Sequence, residues 1–324
     1  MSKNPKEFVK IFQCPDCGGE LVVTEDGLRC EKCERPFPIY NGVAIFVSQD
    51  EWREFFKAQC NLDNYIIDEE REVFERALVQ DDYFEAIKIM DEHTGTAENK
   101  ALTAEKWADY DNIPWIDNEA QQAAVWAGNE KMIALGNVAQ AKMILDWPTG
   151  PGTCVRKMVN KIGKDAVIVS SEINLLAIFR LKKYLEAKGL ANNILFVNND
   201  VAKMPFKDSV FDLVTALGLT TEVPESDKAL KETFRIMQDG GIMVGNGDLY
   251  HEGSESIKIA DEMNLGQIAT RERFLEKANA IGFKNIEIET AWEGLDTDDS
   301  PDEERCPLPA RGDWSAYTII RAEK

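Results

Sequence analysis

Between residue 141 and the C-terminus, short β-rich runs alternate with amphipathic stretches of helical period. KMILDW, AVIVSSE, NILFVNND, FDLVTAL and GIMVGNGDL are the first five runs, and CVRKMVNKI, INLLAIFRLKKYLEAKG, SDKALKETFRIMQ and RERFLEKANAIG are the helical stretches. Strands that alternate with helices require a parallel sheet covered on both faces, with ligands at the C-terminal strand edges. Two last runs, NIEIETAW and WSAYTIIRA, have no helix between them, which predicts an antiparallel hairpin at the sheet edge. The expected fold is therefore α/β: a doubly wound, mostly parallel, seven-stranded Rossmann-like sheet over residues 136–324.

The first of these strands ends in an acid and a glycine loop, LDWPTGPGT, with Asp146, Thr149, Gly150 and Gly152. Glycine lets a backbone approach a bound cofactor because no Cβ intervenes. A dinucleotide fingerprint would want a small residue where Val155 stands. Glu172 closes the second strand, where a carboxylate can bond both ribose hydroxyls, and Asp200 closes the third, within reach of an adenine amino group. Met204-Pro205-Phe206, Phe211-Asp212-Leu213-Val214 and Gly240-Gly241 follow in order.

This ordered set resembles the class I S-adenosylmethionine-dependent methyltransferases, with their LDxxxGxG-like loop, acid after the second strand, DxxxxPF segment and GG turn. The likeness implies that Asp146, Thr149, Gly150 and Gly152 surround the amino-acid part of S-adenosylmethionine. It further implies that Glu172 and Ile173 hold the ribose, Asp200 and Val201 the adenine, and that Leu217 is the wall near the sulfonium. The family commonly has glycine where this chain has Pro148, and proline fixes φ near −65° and lacks an N–H. An altered loop entry is the expected consequence.

Near the N-terminus, Cys14-Pro-Asp-Cys17 and Cys30-Glu-Lys-Cys33 form two CxxC knuckles. Two such turns supply a tetrahedron of thiolates for structural zinc. The competing redox reading fits less well, because redox CxxC pairs usually come singly beside a βαβ unit. Residues 1–50 thus read as a zinc ribbon, whose folding would draw on metal binding. The stretch also resembles the zinc-ribbon modules that accompany methyltransferases, fused or as separate activator subunits. That likeness implies a possible docking surface for a partner protein. As a module of its own, the ribbon is expected to unfold on Cys14→Ser without loss of cofactor binding.

Residues 51–135 lack a strand pattern and read as a helical connector or cap, with Trp107, Trp115 and Trp126 expected mainly in core packing. The chain carries a net charge of −21, and residues 51–135 hold twenty acidic against eight basic side chains. A protein gripping nucleic acid is expected to show a basic patch, so the expected acceptor is a small molecule or a protein and not nucleic acid. Two alternatives stay open: an enzyme similar to the ribosomal RNA guanine methyltransferases, or a non-catalytic cofactor-binding partner subunit. If the acceptor must lose a proton, Tyr110 and His251 are the candidate catalytic residues. No apolar run approaches the ~20 residues of a membrane helix, and MSKNPKEFVK lacks a secretory core. Four closely paired cysteines suit a reducing compartment, so the expectation is a cytoplasmic protein. Residues 293–311, rich in acids, are expected to form a lid or linker, with residues 306–309 packed near the substrate entrance.

Overall fold

A computed structural model describes residues 1–60, 68–80, 82–95, 119–297 and 306–324. The strands are β1 (Leu21–Val23), β2 (Gly27–Cys30), β3 (Pro36–Tyr40), β4 (Val43–Ile45), β5 (Met143–Asp146), β6 (Val167–Glu172), β7 (Ile194–Asn198), β8 (Phe211–Ala216), β9 (Met237–Tyr250), β10 (Lys284–Leu295) and β11 (Trp314–Glu323). The described helices are α1 (Gln49–Cys60), α2 (Asp68–Leu78), α3 (Tyr83–Gly95), α4 (Glu119–Leu135), α5 (Thr153–Met158), α6 (Leu175–Ala187), α7 (Ser226–Ile236), α8 (Glu255–Glu262) and α9 (Arg271–Ile281). None is long and apolar enough to cross a membrane.

β6 and β7 are buried at every position, as strands covered on both faces must be. They pair in parallel with each other, and β5 pairs in parallel with β6 and β8. The order β7-β6-β5-β8-β9-β11-β10 is the expected seven-stranded sheet, ending in the antiparallel β10–β11 hairpin. That hairpin folds back so that β11, rather than β10, pairs with β9. Alternation along the strands divides the core by face. Leu145, Val169, Val197 and Val214 point to one side with α7 and α9; Ile144, Ile168, Phe196 and Leu213 point to the other with α1 to α6. Helix entries follow local rules: Asn174 caps α6 by accepting from the N–H groups of Leu176 and Ala177, and Thr270 caps α9 through Arg273 N–H.

The ribbon is not a separate module. β4 pairs in parallel with β7, so β1 to β4 extend the main sheet to eleven strands. Phe12, Leu28, Phe37 and Phe46 share one apolar cluster with Val201, Met204 and Phe206. α1 to α3 lie over the opposite face, where Tyr83 Oη donates to the Val47 carbonyl and the Trp52 and Tyr83 rings sit 5.2 Å apart. α4, inside the connector by sequence, packs against β9, β10 and β11. Trp107 and Trp115 lie outside the described residues. Trp126, rather than filling the core, is half-exposed beneath Lys157 Nζ at 3.9 Å.

Candidate functional site

The C-terminal ends of β7, β6, β5, β8 and β9 bring Asp200, Glu172, Asp146, Leu217 and Asp248 to one edge of the sheet. Asp146 is 1% exposed. Its Oδ2 accepts from Thr149 Oγ at 2.7 Å, and its Oδ1 accepts from Thr215 Oγ at 2.6 Å. The acid therefore ties the glycine loop to β8. Burial pushes its carboxyl up to about 7, despite these hydrogen bonds and one from the Cys154 thiol. Asp146 and Thr149, expected around the ligand, spend their polar atoms on each other and on the neighbouring hydroxyls of Thr215 and Ser170.

The loop forms with Pro148 in place, because left-handed backbone falls at Gly150 (φ +48°) and Gly152 (φ +80°) instead. These glycines answer different needs. A Cβ on Gly150 would meet nothing within 4 Å, whereas one on Gly152 would stand 2.3 Å from Leu181 Cδ1. Gly150 borders open space; Gly152 packs on α6.

Glu172 accepts from Gly150 N–H at 2.8 Å through Oε2, and from Ile173 and Asn174 N–H at 2.8 and 3.0 Å through Oε1. A carboxylate offers about four acceptor directions, so three are engaged within the protein and one is left open. Burial raises this carboxyl against those three N–H groups. Asn198 braces the turn by donating to the Glu172 and Ile173 carbonyls. Asp200 Oδ1 caps the turn over Val201–Lys203 by accepting from Ala202 N–H at 2.8 Å.

Several residues here carry little signal in the sequence. Asn246 Oδ1 accepts from Gly218 N–H at 2.9 Å, while its Nδ2 donates to Asn129 Oδ1 at 2.7 Å and to Tyr317 Oη. Tyr317 Oη donates in turn to Asn129 Oδ1 at 2.9 Å, and burial raises its phenol well above the ordinary value. α4, β9 and β11 are thereby locked together behind the loop that follows β8. Thr220 Oγ donates to the Asp248 carbonyl at 2.7 Å. Burial first, then the charge of Glu222, push the Asp248 carboxyl up to about 7. Glu222 keeps contact with water although protein surrounds it, and that setting, with Glu172 nearby, raises it too. Polar Asn246 and Asp248, breaking the apolar run of GIMVGNGDL, are the one sequence hint of this cluster.

Tyr110 lies outside the described residues. His251, just past the end of β9, is exposed and stacked on Trp314, with ring centroids 3.9 Å apart; one face of its ring is thereby engaged. Leu308 packs on the small cluster of Tyr250, Ile257, Ala260, Leu265 and Ala269. Ala310 N–H donates to Ser256 Oγ at 2.9 Å. The end of the acidic segment is thus anchored to α8.

At the N-terminus the four cysteine sulfurs lie within 4.8 Å of one another. Cys14 Sγ to Cys33 Sγ is 3.6 Å and Cys17 Sγ to Cys30 Sγ is 3.5 Å. A tetrahedron with Zn–S near 2.3 Å has sulfurs about 3.8 Å apart, so the donor set fits. Backbone N–H groups of Lys32 and Cys33 point at Cys30 Sγ from 3.4 and 3.5 Å. Gly19 keeps the cradle open, since a Cβ there would come within 2.8 Å of that sulfur.

A methyltransferase domain family matches residues 144–241. A sterol 24-C-methyltransferase of Aspergillus fumigatus is 28% identical over 198 residues, covering 57% of this chain and 51% of its own. A ubiquinone/menaquinone biosynthesis C-methyltransferase of Ectopseudomonas mendocina is 34% identical over 110 residues, covering 34% and 43%. The chain thus spans about half the length of these curated relatives. A phosphoethanolamine N-methyltransferase of Haemonchus contortus, solved with S-adenosyl-L-methionine, superposes with a TM-score of 0.47 at 15% identity, covering 61% of this chain and 52% of that one. With the matched segment carrying the glycine loop and the acids at the ends of β6 and β7, residues 144–241 form a class I S-adenosylmethionine-dependent methyltransferase domain.

Proposed function

We propose that this chain transfers a methyl group from S-adenosylmethionine to a nucleophile on a small molecule, with a protein acceptor as the other possibility. The observation that carries the reading is electrostatic. Asp146, Glu172, Glu222 and Asp248 converge at one edge of the sheet, and none forms a salt bridge with a described lysine or arginine. Asp146 and Glu172 are buried, Asp248 is half-buried and Glu222 is exposed; buried carboxylates without cations are costly, and a ligand bearing a sulfonium and an ammonium group offsets that cost. Nicotinamide dinucleotides, whose phosphates are anionic, would be repelled.

When bound, S-adenosylmethionine supplies an activated methyl group. The residues around it bind and orient. Gly150 admits the amino-acid end, the remaining acceptor direction of Glu172 takes a ribose hydroxyl, and the second oxygen of Asp200 takes the adenine amino group. Leu217 and Ile173 give apolar walls. Alignment of nucleophile and methyl carbon is the main catalytic work. Should the acceptor have to lose a proton, Asp248 and Glu222 are better placed to receive it than His251, whose ring is stacked away on Trp314.

The matched relatives are named for sterol methylation and quinone biosynthesis, which ranks a small-molecule acceptor ahead of a protein. Nucleic acid ranks last, because the net charge of −21 opposes phosphates. Cys14, Cys17, Cys30 and Cys33 are proposed to hold one structural zinc. Calorimetry with S-adenosylmethionine and with NADH is the first test, followed by labelled-methyl transfer into fractionated small molecules, proteins and RNA. Binding of NADH in preference to S-adenosylmethionine, or label entering RNA alone, would reject the reading.

A further inference from the structure

We infer that the cysteine ribbon is a positioning element for the cofactor: with metal bound it fixes residues 200–207, the adenine-side wall, and with metal lost that wall loosens and cofactor affinity falls. This rests on the reading that S-adenosylmethionine occupies the sheet edge beside Asp200 and Val201.

The two regions are joined along a continuous seam. Gln13, next to the first cysteine ligand, donates its N–H to the Pro205 carbonyl at 2.9 Å, and Lys207 N–H donates to the Ile11 carbonyl at 2.9 Å. Between those two bonds, Phe12 and Phe206 pair as a β-bridge and their rings stack 5.6 Å apart. The aromatic chain runs on from Phe12 to Phe46 at 5.2 Å and from Phe46 to Phe37 at 4.9 Å, with Phe37 four positions after Cys33. Side chains tie the same regions. Lys207 pairs with Glu20 at 2.6 Å, Lys203 pairs with Glu51, and Glu51 meets Arg35 at 3.5 Å. Arg35 completes the chain by pairing with Asp16, which lies between Cys14 and Cys17.

On its other side the wall is held by α7. Met204 N–H donates to Glu232 at 3.0 Å, and Arg235 donates to the Phe206 and Met204 carbonyls at 2.7 and 3.1 Å. Residues 200–207 are therefore clamped between a helix of the sheet domain and the ribbon. The helix side stands without metal. The ribbon side consists of strands of three to five residues, too short to hold their knuckles closed once the ion is gone. Metal loss removes one jaw of the clamp while leaving the glycine loop and Glu172 untouched.

Coupling of this kind is reciprocal: if metal strengthens cofactor binding, cofactor strengthens metal binding by the same factor. The full chain is first assayed for S-adenosylmethionine binding by calorimetry with one zinc per chain, then after chelation, then after reloading. Affinity is expected to fall by about tenfold or more on chelation and return on reloading, within the usual range for coupled sites. Hydrogen exchange should quicken in residues 200–207 and stay unchanged in residues 226–236. Zinc competition against a chromophoric chelator should tighten by the same factor with saturating S-adenosylmethionine. Equal cofactor affinity with and without zinc overturns the coupling and leaves the cofactor reading standing, whereas no binding by the zinc-loaded chain overturns both. If the chelated chain unfolds altogether, the double variant Lys203→Met/Lys207→Met decides. It should keep its zinc yet bind S-adenosylmethionine about three- to tenfold more weakly, in line with the modest strength of partly exposed ion pairs; unchanged affinity with zinc retained rejects the proposal.

Discussion

At Gly152 a Cβ would stand 2.3 Å from Leu181 Cδ1, in a backbone already at φ +80°, while at Gly150 the space beyond the Cα is open. Substitution should therefore separate packing from binding. Gly152→Ala is expected to destabilise the fold by about 1–3 kcal/mol through overpacking and left-handed strain. Gly150→Ala should lose only about 1 kcal/mol from its left-handed backbone but lose most cofactor affinity. Urea titration and calorimetry on both variants check this, and the reverse assignment would mean that Gly152 faces the ligand. Glu172→Ala removes the acceptor that holds Gly150, Ile173 and Asn174 together. Cofactor affinity should drop by about 1.5–3 kcal/mol, the scale of a hydrogen bond to a charged group; wild-type affinity by calorimetry would show that the loop holds its shape without this acid. The sequence placed Asp146 and Glu172 at the site because each closes a β-rich run. It could not tell that they brace the loop from within, since Thr215 and Asn198 come from strands far along the chain. Asn129 and Tyr317 were illegible for the same reason, and Asn246 showed only as a polar break in its strand: the three are ordinary polar residues until three separate elements bring them together.

Strands β5 to β8 were readable because parallel strands buried on both faces read as near-continuous apolar runs; β6 and β7, buried at every position, open with VIV and ILFV before their polar ends. The pairing of β4 with β7 was not, since a three-residue strand has no periodicity that names its partner. That pairing changes what the ribbon does. It covers the edge of β7, which would otherwise present unpaired N–H and C=O groups to other chains. It also supplies Phe12, Phe37 and Phe46 to the main core. Removal of residues 1–46 is therefore expected to give an aggregating chain rather than a smaller folded domain, as size-exclusion chromatography would reveal. A monodisperse, cofactor-binding truncation would restore the view of the ribbon as a detachable module.

For the molecule as a whole, the group of acids at the sheet edge makes stability and binding respond to pH in opposite senses. Burial raises Asp146 and Asp248 to about 7, and Glu172, Glu222 and Asp200 move in the same direction. Unfolded, these groups titrate near 4. A carboxyl raised on folding favours the folded state when protonated; that contribution is fully present below about 4 and is lost as pH climbs through about 7. Carboxylates that folding lowers, such as Glu130, Glu186 and Glu323, lose their contribution only as pH falls below the usual carboxylate range. Between pH 5.5 and 8 the raised acids therefore set the slope, and self-repulsion from a net charge of −21 acts in the same direction. The free protein should melt at a higher temperature at pH 5.5 than at pH 8. Binding of a cationic cofactor needs the carboxylates ionised, so its affinity should rise over the same interval. The thermal shift produced by saturating S-adenosylmethionine should accordingly be larger at pH 8. Asp248→Asn, which removes one titrating group at the rim without disturbing the Thr149 and Thr215 bonds to Asp146, should flatten both profiles in part. A cofactor affinity that stays constant from pH 5.5 to 8, in a chain whose melting temperature also stays constant, would mean that these acids are already paired with cations and would remove the electrostatic basis of the proposed site.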